Sequence, residues 1–418
     1  MNFFDLDDDI KRLSEMAMLK IKPQFEFLEK ITEHNQLKVL AAFIENGVSE
    51  SHFAESTGYG YGDRGREALD RVFARSVGAE AALVRHSFAC GTHTLTVALF
   101  GLLRPGDVML SVTGTPYDTI RPSIGISGTK GRGSLMDFGV EYRQVELAKD
   151  GGVDFDGIEN TLKKTRVRLV YVQRSRGYAL RPSLSAETIG EIAKLVKKHS
   201  DAITMVDNCY GEFVQKCEPT DFGADLVAGS LIKNPGGGLA KNGGYIAGRG
   251  DLVELCACRM TTPGLGAEVG ATLGQTRSML MGLFNAPHVT GEALKTAVFA
   301  AALFEEMGYE VTPRWSEPRF DIIQALMLRG EKPLVAFCRG IQSGAPVDAF
   351  AVPEPWDMPG YDSKVIMAAG AFILGSSIEL SADAPLREPY AVWMQGGLNF
   401  HSAKMGVMLA AQRVLQTK

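Results

Sequence analysis

Apolar positions fall along this chain in two alternating rhythms. Short, largely apolar runs, rich in β-branched residues, stand at 81–84, 108–112, 167–173, 203–206 and 226–228. Runs of this length, closed by glycine and polar turns, predict strands buried on both faces. Between them apolar residues return at intervals of three and four. Leu95, Ala98, Leu99 and Leu102 make one such stripe, and Ile189, Ile192, Ala193 and Val196 another within 185–199. That spacing predicts helices laid against a core. Alternation of strand and helix as far as Gly248 predicts an α/β domain around a doubly wound, mostly parallel sheet.

The flanks read differently. Residues 1–56 form a polar helical arm with Leu13, Met16, Ala17 and Ile21 at helical spacing. Its apolar stripe is too thin for a core of its own, so the arm is expected to pack on another domain or subunit. Residues 57–290 are assigned to the large α/β domain. Residues 291–418 are assigned to a smaller α+β domain, with strands at 375–381 and 388–393 and a last helix at 401–415.

Composition narrows the class without choosing a function. Of 418 residues, 45% are hydrophobic and 22% charged, which is ordinary globular usage with length for one or two domains. A net charge of −5 gives no electrostatic footprint for nucleic acid. No apolar run approaches the roughly 20 residues of a membrane span. The stretch MNFFDLDDDIKRL carries acids where a secretion signal carries lysine and arginine, so a cytoplasmic protein is expected. The six cysteines are scattered and form no Cys-x-x-Cys pair, which predicts reduced thiols and neither a disulfide framework nor a metal knuckle.

Candidate chemistry concentrates between 203 and 248. One apolar run ends in Asp207-Asn208, and the next delivers Ser230 and then Lys233 into a glycine-rich turn. In an open α/β sheet, ligands bind beyond the carboxyl ends of the strands, so these groups can face one ligand. A lysine to join an aldehyde and a carboxylate to hold a pyridine nitrogen protonated are what pyridoxal phosphate requires. Taken singly, Asp207 reads as a helix cap and Lys233 as a solvated loop lysine; the pair favours the cofactor. Upstream, the small-residue turn around Cys90-Gly91-Thr92 opens a helix, whose free N–H groups suit a phosphate. Tyr117, on the loop after 108–112, is placed to cover a cofactor ring. Residues 60–65 spell G-x-G-x-x-G with Glu80 about 20 residues on, the spacing of a dinucleotide fingerprint. The stretch before it is polar and serine-rich, so a mobile aromatic-bearing loop is the preferred reading.

These residues, together with VQRSRGYALRPSLS, MVDNCYGEF, GSLIKNPGGGLAKNGGYIAG and GSSIELSADAPLREPY, carry a resemblance that spans essentially the whole chain. The chain resembles the fold-type-I pyridoxal phosphate enzymes of cysteine and methionine metabolism. Within them it is most similar to the branch of aluminium-resistance proteins and methionine γ-lyases, which is cystathionine β-lyase-like. The resemblance implies a mostly parallel seven-stranded sheet domain, a smaller C-terminal α+β domain and a homo-oligomer, dimer or tetramer. It implies phosphate contacts from Gly91, Thr92 and Ser230 beside Cys90, and Tyr117 stacked on the ring. Asp207 would pair with the ring nitrogen and Lys233 would form the Schiff base. Tyr59 and Arg64, on the glycine–tyrosine loop, are the nearest candidates to reach a neighbouring subunit's phosphate, with Tyr61 an alternative to Tyr59. The chain departs from its relatives at Cys209, where a threonine is usual, and at Ile232, where a hydroxyl is common.

The expected reaction is β- or γ-elimination on a cystathionine, methionine or cysteine type of substrate, giving a 2-oxo acid and ammonia. Arg176 and Arg387 are the two candidates to hold the substrate carboxylate by a bidentate contact. A transaminase or aldolase on the same fold is the nearest alternative. A nicotinamide-dependent oxidoreductase, resting on 60–65 alone, and a cofactor-binding regulator without turnover are more remote.

Overall fold

The computed structural model of the chain describes residues 3–357 and 363–417. The buried apolar runs become a seven-stranded sheet of β1 (Ala81–Arg85), β2 (Val108–Ser111), β3 (Glu141–Gln144), β4 (Leu169–Gln173), β5 (Ile203–Asp207), β6 (Leu226–Ser230) and β7 (Gly244–Gly248). Their spatial order is β1-β7-β6-β5-β4-β2-β3. Only β7 runs against its neighbours; the pairings of β2 through β6 are parallel. Every residue of β2, β4, β5 and β6 is buried. This two-sided burial is why these strands read as unbroken apolar runs rather than as alternation. β3 is the exception. Its sequence EYRQ lies on the open edge and is mostly exposed, so it carries no apolar run and the sequence pattern passes over it.

Helices α1 (Asp8–Glu45), α2 (Arg64–Ser76), α3 (Gly91–Leu102), α4 (Arg121–Ile124), α5 (Phe155–Lys164), α6 (Ala186–His199), α7 (Gly250–Met260) and α8 (Thr276–Glu306) surround the sheet. Leu95 and Leu99 of α3 and Leu252 and Cys256 of α7 pack on the face that carries Leu169, Tyr171 and Met205. Phe73 of α2, Ile158 of α5 and Ile189 and Ile192 of α6 cover the opposite face, against Val170, Val172 and Val206. Alternate residues of single strands thus feed two separate cores, the three-layer arrangement that strand–helix alternation requires.

The C-terminal part is a five-stranded antiparallel sheet of β8 (Glu310–Thr312), β9 (Gln324–Met327), β10 (Val365–Ala368), β11 (Ser381–Pro385) and β12 (Ala391–Gln395), in the order β10-β11-β12-β9-β8. Helices α9 (Glu331–Ser343) and α10 (Phe400–Leu415) complete it. Two expected strands shift here. Residues 375–380 are loop, and β11 begins only at Ser381. The second expected strand begins at Ala391, after a turn in which Tyr390 takes a left-handed φ of 54°. The loop has a polar cause: the Glu379 carboxylate turns back to accept the backbone N–H groups of Phe372 (2.8 Å) and Ile373 (3.0 Å).

Helix α8 serves both halves. Met279, Leu280, Leu283 and Ala286 belong to the core of the large sheet, whereas Val289, Ala293 and Val298 belong to that of the small one. The boundary expected at 290/291 therefore falls inside one continuous helix. The arm α1 packs along α8 and contributes Ile10, Ala17 and Ile21 to the second core and Val39 and Ala42 to the first. Asn35, fully buried in that arm, donates to the carbonyls of Phe213 and Gln215 (both 2.9 Å).

Candidate active site

The carboxyl ends of β4, β5 and β6 and the N-terminus of α3 open into one cavity of about 380 Å³. The small sheet closes it from the other side with Met367, Ser381, Asp383 and Gln395. Of the residues singled out in the sequence, Cys90, Gly91, Thr92, Tyr117, Asp207, Cys209, Ser230 and Lys233 all line this space, as does Ile232. Lys241, the other lysine of the glycine-rich stretch, is exposed beyond the turn.

Asp207 is the last residue of β5, with 6% exposure. Its Oδ2 accepts from the Tyr171 hydroxyl (3.2 Å) and its Oδ1 from the Cys209 backbone N–H (3.2 Å). Burial raises its pKa, and the nearby Lys233 ammonium pulls it back. Lys233 lies three residues past β6, its Nζ 4.4 Å from the centroid of the Tyr210 ring. Burial alone would lower the Lys233 pKa. Cys209 and Tyr210, ahead of Asp207 and Glu212, outweigh it and hold the lysine above its ordinary value. Tyr210 reaches this place through a left-handed backbone, φ 71°, in the turn that follows Asp207-Asn208.

The third element is a cradle for an anion. Gly91 is the first residue of α3, and a helix N-terminus leaves backbone N–H groups unpaired and carries partial positive charge. Glycine eases a close approach there: a Cβ on Gly91 would stand 3.2 Å from the Cβ of Ser230, a tight contact. The Ser230 hydroxyl itself is buried, at 1% exposure, and has no hydrogen-bond partner. An orphan hydroxyl beside a helix N-terminus fits a phosphate. Thr92 joins the rim, its hydroxyl 2.7 Å from that of Thr119. The residues present thus fit pyridoxal phosphate at each end: lysine for the aldehyde, acid for the ring nitrogen, cradle for the phosphate.

Other expected residues lie elsewhere. Tyr59 and Tyr61 are exposed and stacked on one another at 5.6 Å, and Arg64 is exposed at the start of α2. None of the three lines the cavity of its own chain. Arg66, buried in the first turn of α2, donates to the carbonyls of Gly60 (2.7 Å), Gly270 (2.8 Å) and Glu268 (3.1 Å). The loop follows a 3-10 turn (Glu50–Phe53), not a strand, so the glycine pattern at 60–65 lacks the framework of a dinucleotide site. Arg176 is buried and donates to the Thr312 carbonyl (2.9 Å), with its own backbone N–H on Asp321 (3.1 Å). Arg387 is exposed. Both border a second cavity of about 390 Å³ that shares Tyr117, Gln173, Gly177 and Tyr178 with the first.

Several site residues gave no signal in the sequence. Tyr178, Asp383 and Gln395 come from a loop and two separate strands and meet only when the small sheet folds over the large one. Tyr210 and Glu212 stand in the conspicuous stretch after Asp207, yet nothing in their spacing marks which way they point. Glu212 lies beneath the site, accepting from the Tyr245 hydroxyl at 2.6 Å.

Fold and cavity together define a fold-type-I pyridoxal phosphate enzyme. The chain matches the methionine γ-lyase family over residues 10–415 and belongs to that family; it is a pyridoxal phosphate-dependent carbon–sulfur lyase. The crystal structure of a carbon–sulfur lyase involved in aluminium resistance from Clostridium novyi NT is 52% identical. It superposes with a TM-score of 0.95 over 98% of this chain and 96% of that one. The YnbB protein of Bacillus subtilis (strain 168) is 46% identical over 390 residues, 93% of this chain and 92% of its own length. L-methionine γ-lyase of Pseudomonas putida is 27% identical over 231 residues, 54% of this chain and 51% of that enzyme.

Proposed function

We propose that the chain eliminates a sulfur-bearing group from the β- or γ-carbon of an amino acid of the cysteine, methionine or cystathionine type. The products are the thiol, a 2-oxo acid and ammonia. The observation that carries this reading is the convergence of Lys233, Asp207 and the orphan Ser230 hydroxyl on one cavity. Bound pyridoxal phosphate supplies an electron sink for the bond broken at Cα. In this reading Lys233 anchors the cofactor, and its released amine takes the Cα proton and returns it later. Asp207 keeps its negative charge against the ring nitrogen, held in place by Tyr171 and the Cys209 N–H. Tyr117 covers the ring. The α3 N-terminus and Ser230 fix the phosphate, so the reacting carbon stays aligned with Lys233.

For the substrate carboxylate we favour Arg387. The guanidinium of Arg176 is already engaged by Thr312 and lies 3.7 Å from Asp321, whereas Arg387 stands exposed at the adjoining cavity. We further infer a homo-oligomer whose sites are shared. Tyr59, Tyr61 and Arg64 are exposed on a loop that Arg66 pins to the body, which suits a rigid surface presented to a neighbour. All six cysteines are free thiols, which supports cytoplasmic residence. Among the described residues no helix is long and apolar enough to cross a membrane.

The test begins with the purified protein. A near-visible absorption band, fixed by borohydride on Lys233 and absent from Lys241 in peptide maps, is expected. Screening thioether amino acids should then release thiol, 2-oxo acid and ammonia in equal amounts. Amino transfer to an added keto acid without thiol would replace elimination by transamination.

A further inference from the structure

We propose that Asp383 is the general acid that hands a proton to the departing sulfur; this rests on the carbon–sulfur lyase reading. Asp383 lies on β11 and faces the cavity from the small sheet, whereas Asp207 and Lys233 face it from the large one. Its Oδ2 accepts both from the Tyr178 hydroxyl (3.0 Å) and from Gln395 Nε2 (3.2 Å). Among the described residues no hydrogen bond engages Oδ1. A carboxyl group that accepts two donors on one oxygen carries its proton on the other. A proton on Asp383 therefore sits on Oδ1, the oxygen left for a ligand.

Elimination needs a base at Cα and an acid at sulfur. Lys233 is the base. A sulfur that left as thiolate would stand among Met367, Ala369 and Ile232, whose side chains offer no donor, and an enclosed charge without a partner is costly. The other ionisable groups of the lining are in use. Asp207 serves the ring nitrogen, and the Cys209 thiol donates to Asp207. Cys90 caps α3 at the phosphate end, Tyr117 covers the ring, and Tyr210 lies against Lys233. Asp383 and its partner Tyr178 remain. Tyr178 already gives its proton to Oδ2, so Asp383 is the member with one to offer. Burial raises the Asp383 pKa, and Gln395, then Tyr178, and last Lys233 oppose that rise without cancelling it. In cleavage at Cβ, Lys233 removes the Cα proton, and the pair it leaves behind forms the Cα–Cβ double bond. The Cβ–S bond breaks with its electrons on sulfur, which takes the proton from Oδ1. The thiol departs neutral and Asp383 is left as carboxylate. Tyr178 also borders the second cavity, from which water returns the proton.

The test uses the holoenzyme and two substrates that differ in whether the leaving group needs a proton. S-propyl-L-cysteine loses an alkyl thiol, whereas β-chloro-L-alanine loses chloride, which takes none. The homocysteine thioether and the γ-chloro amino acid are run alongside for cleavage at Cγ. Wild type is expected to form 2-oxo acid from both classes. Asp383→Asn keeps the shape but has no acidic proton. Its kcat/KM should fall about 100-fold or more on the thioether, the scale of general acid catalysis, and less than about threefold on the chloride. In Asp383→Ala, added acetic acid should restore thioether cleavage in proportion to its concentration and leave the chloride rate unchanged. Full thioether activity in Asp383→Asn, equal loss on the two substrates, or loss of the fold or the cofactor in both variants overturns the proposal, because the residue would then be dispensable or structural. Wild type that releases 2-oxo acid from neither substrate would sink the elimination reading itself. Wild type that cleaves both, with no selective loss in the variants, sinks the acid alone.

Discussion

At the scale of single residues, the site works by keeping charges in environments that oppose them. Asp207 is buried, and burial alone favours its protonated form. Its two hydrogen bonds and the neighbouring lysine keep it an acceptor, and Asp207→Asn removes the charge while keeping the shape. We expect the variant to fold and retain cofactor but to lose about one to two orders of magnitude in turnover, the worth of one charge-assisted contact of about 1.5–3 kcal/mol. Steady-state thiol release checks it, and a rate within about twofold of wild type would assign the acid another role. Glu212 is the opposite case. Burial pushes its carboxyl up to about 8, so the folded protein holds that proton more tightly than the unfolded chain does. Its contribution to stability is full below the ordinary carboxyl pKa and is lost as pH rises through about 8. Thermal unfolding should therefore show wild type falling behind Glu212→Gln progressively between pH 4.5 and about 8, and no further above that. A gap that stays constant with pH would mean that Glu212 is ionised throughout.

At the scale of elements, the proposed phosphate cradle depends on a close approach of a helix and a strand. The N-terminus of α3 meets the end of β6 across Gly91, where a Cβ would stand a tight 3.2 Å from that of Ser230. Ser230→Ala should weaken cofactor binding about 5- to 10-fold, the loss of one hydrogen bond worth about 1 kcal/mol, and leave secondary structure intact. Gly91→Ala should weaken it at least as much, because its methyl group must push α3 away from Ser230. Titration of apo protein with pyridoxal phosphate measures both. Unchanged affinity in Ser230→Ala would show that the orphan hydroxyl serves no phosphate. The same scale explains what the sequence pattern missed. β3 is polar because one of its sides is an open edge, and residues 375–380 are loop because Glu379 turns back onto the backbone of Phe372 and Ile373.

At the scale of the whole molecule, the open question is what the exposed loop of Tyr59, Tyr61 and Arg64 meets. Arg66 ties that loop at Gly60 to the segment carrying Glu268 and Gly270, and the loop's aromatic pair stands exposed. If the loop enters a neighbour's site, mixing inactive Lys233→Ala with inactive Arg64→Ala must restore activity. Subunit exchange would create sites that carry neither lesion. Native mass spectrometry verifies exchange, and assay of the mixture verifies rescue. Exchange without rescue would confine Arg64 to its own chain.

Much of this protein was legible along the chain. Five of the seven strands of the large sheet were visible because strands buried on both faces read as nearly continuous apolar runs. Asp207, Ser230, Lys233 and the Gly91 turn were visible because a sheet of this kind presents ligands at its strand ends, immediately after those apolar runs. Asp383, Tyr178 and Gln395 were not, because their meeting depends on how the small sheet docks over the large one. Local periodicity carries no record of a contact between elements so far apart in sequence. The arginines show the same limit. Arg176 and Arg387 are equal candidates as letters, and only burial against Thr312 and Asp321 sets the first apart from the second. The chain's own pattern determined which strands and turns form the site, while docking decided which charges face its interior.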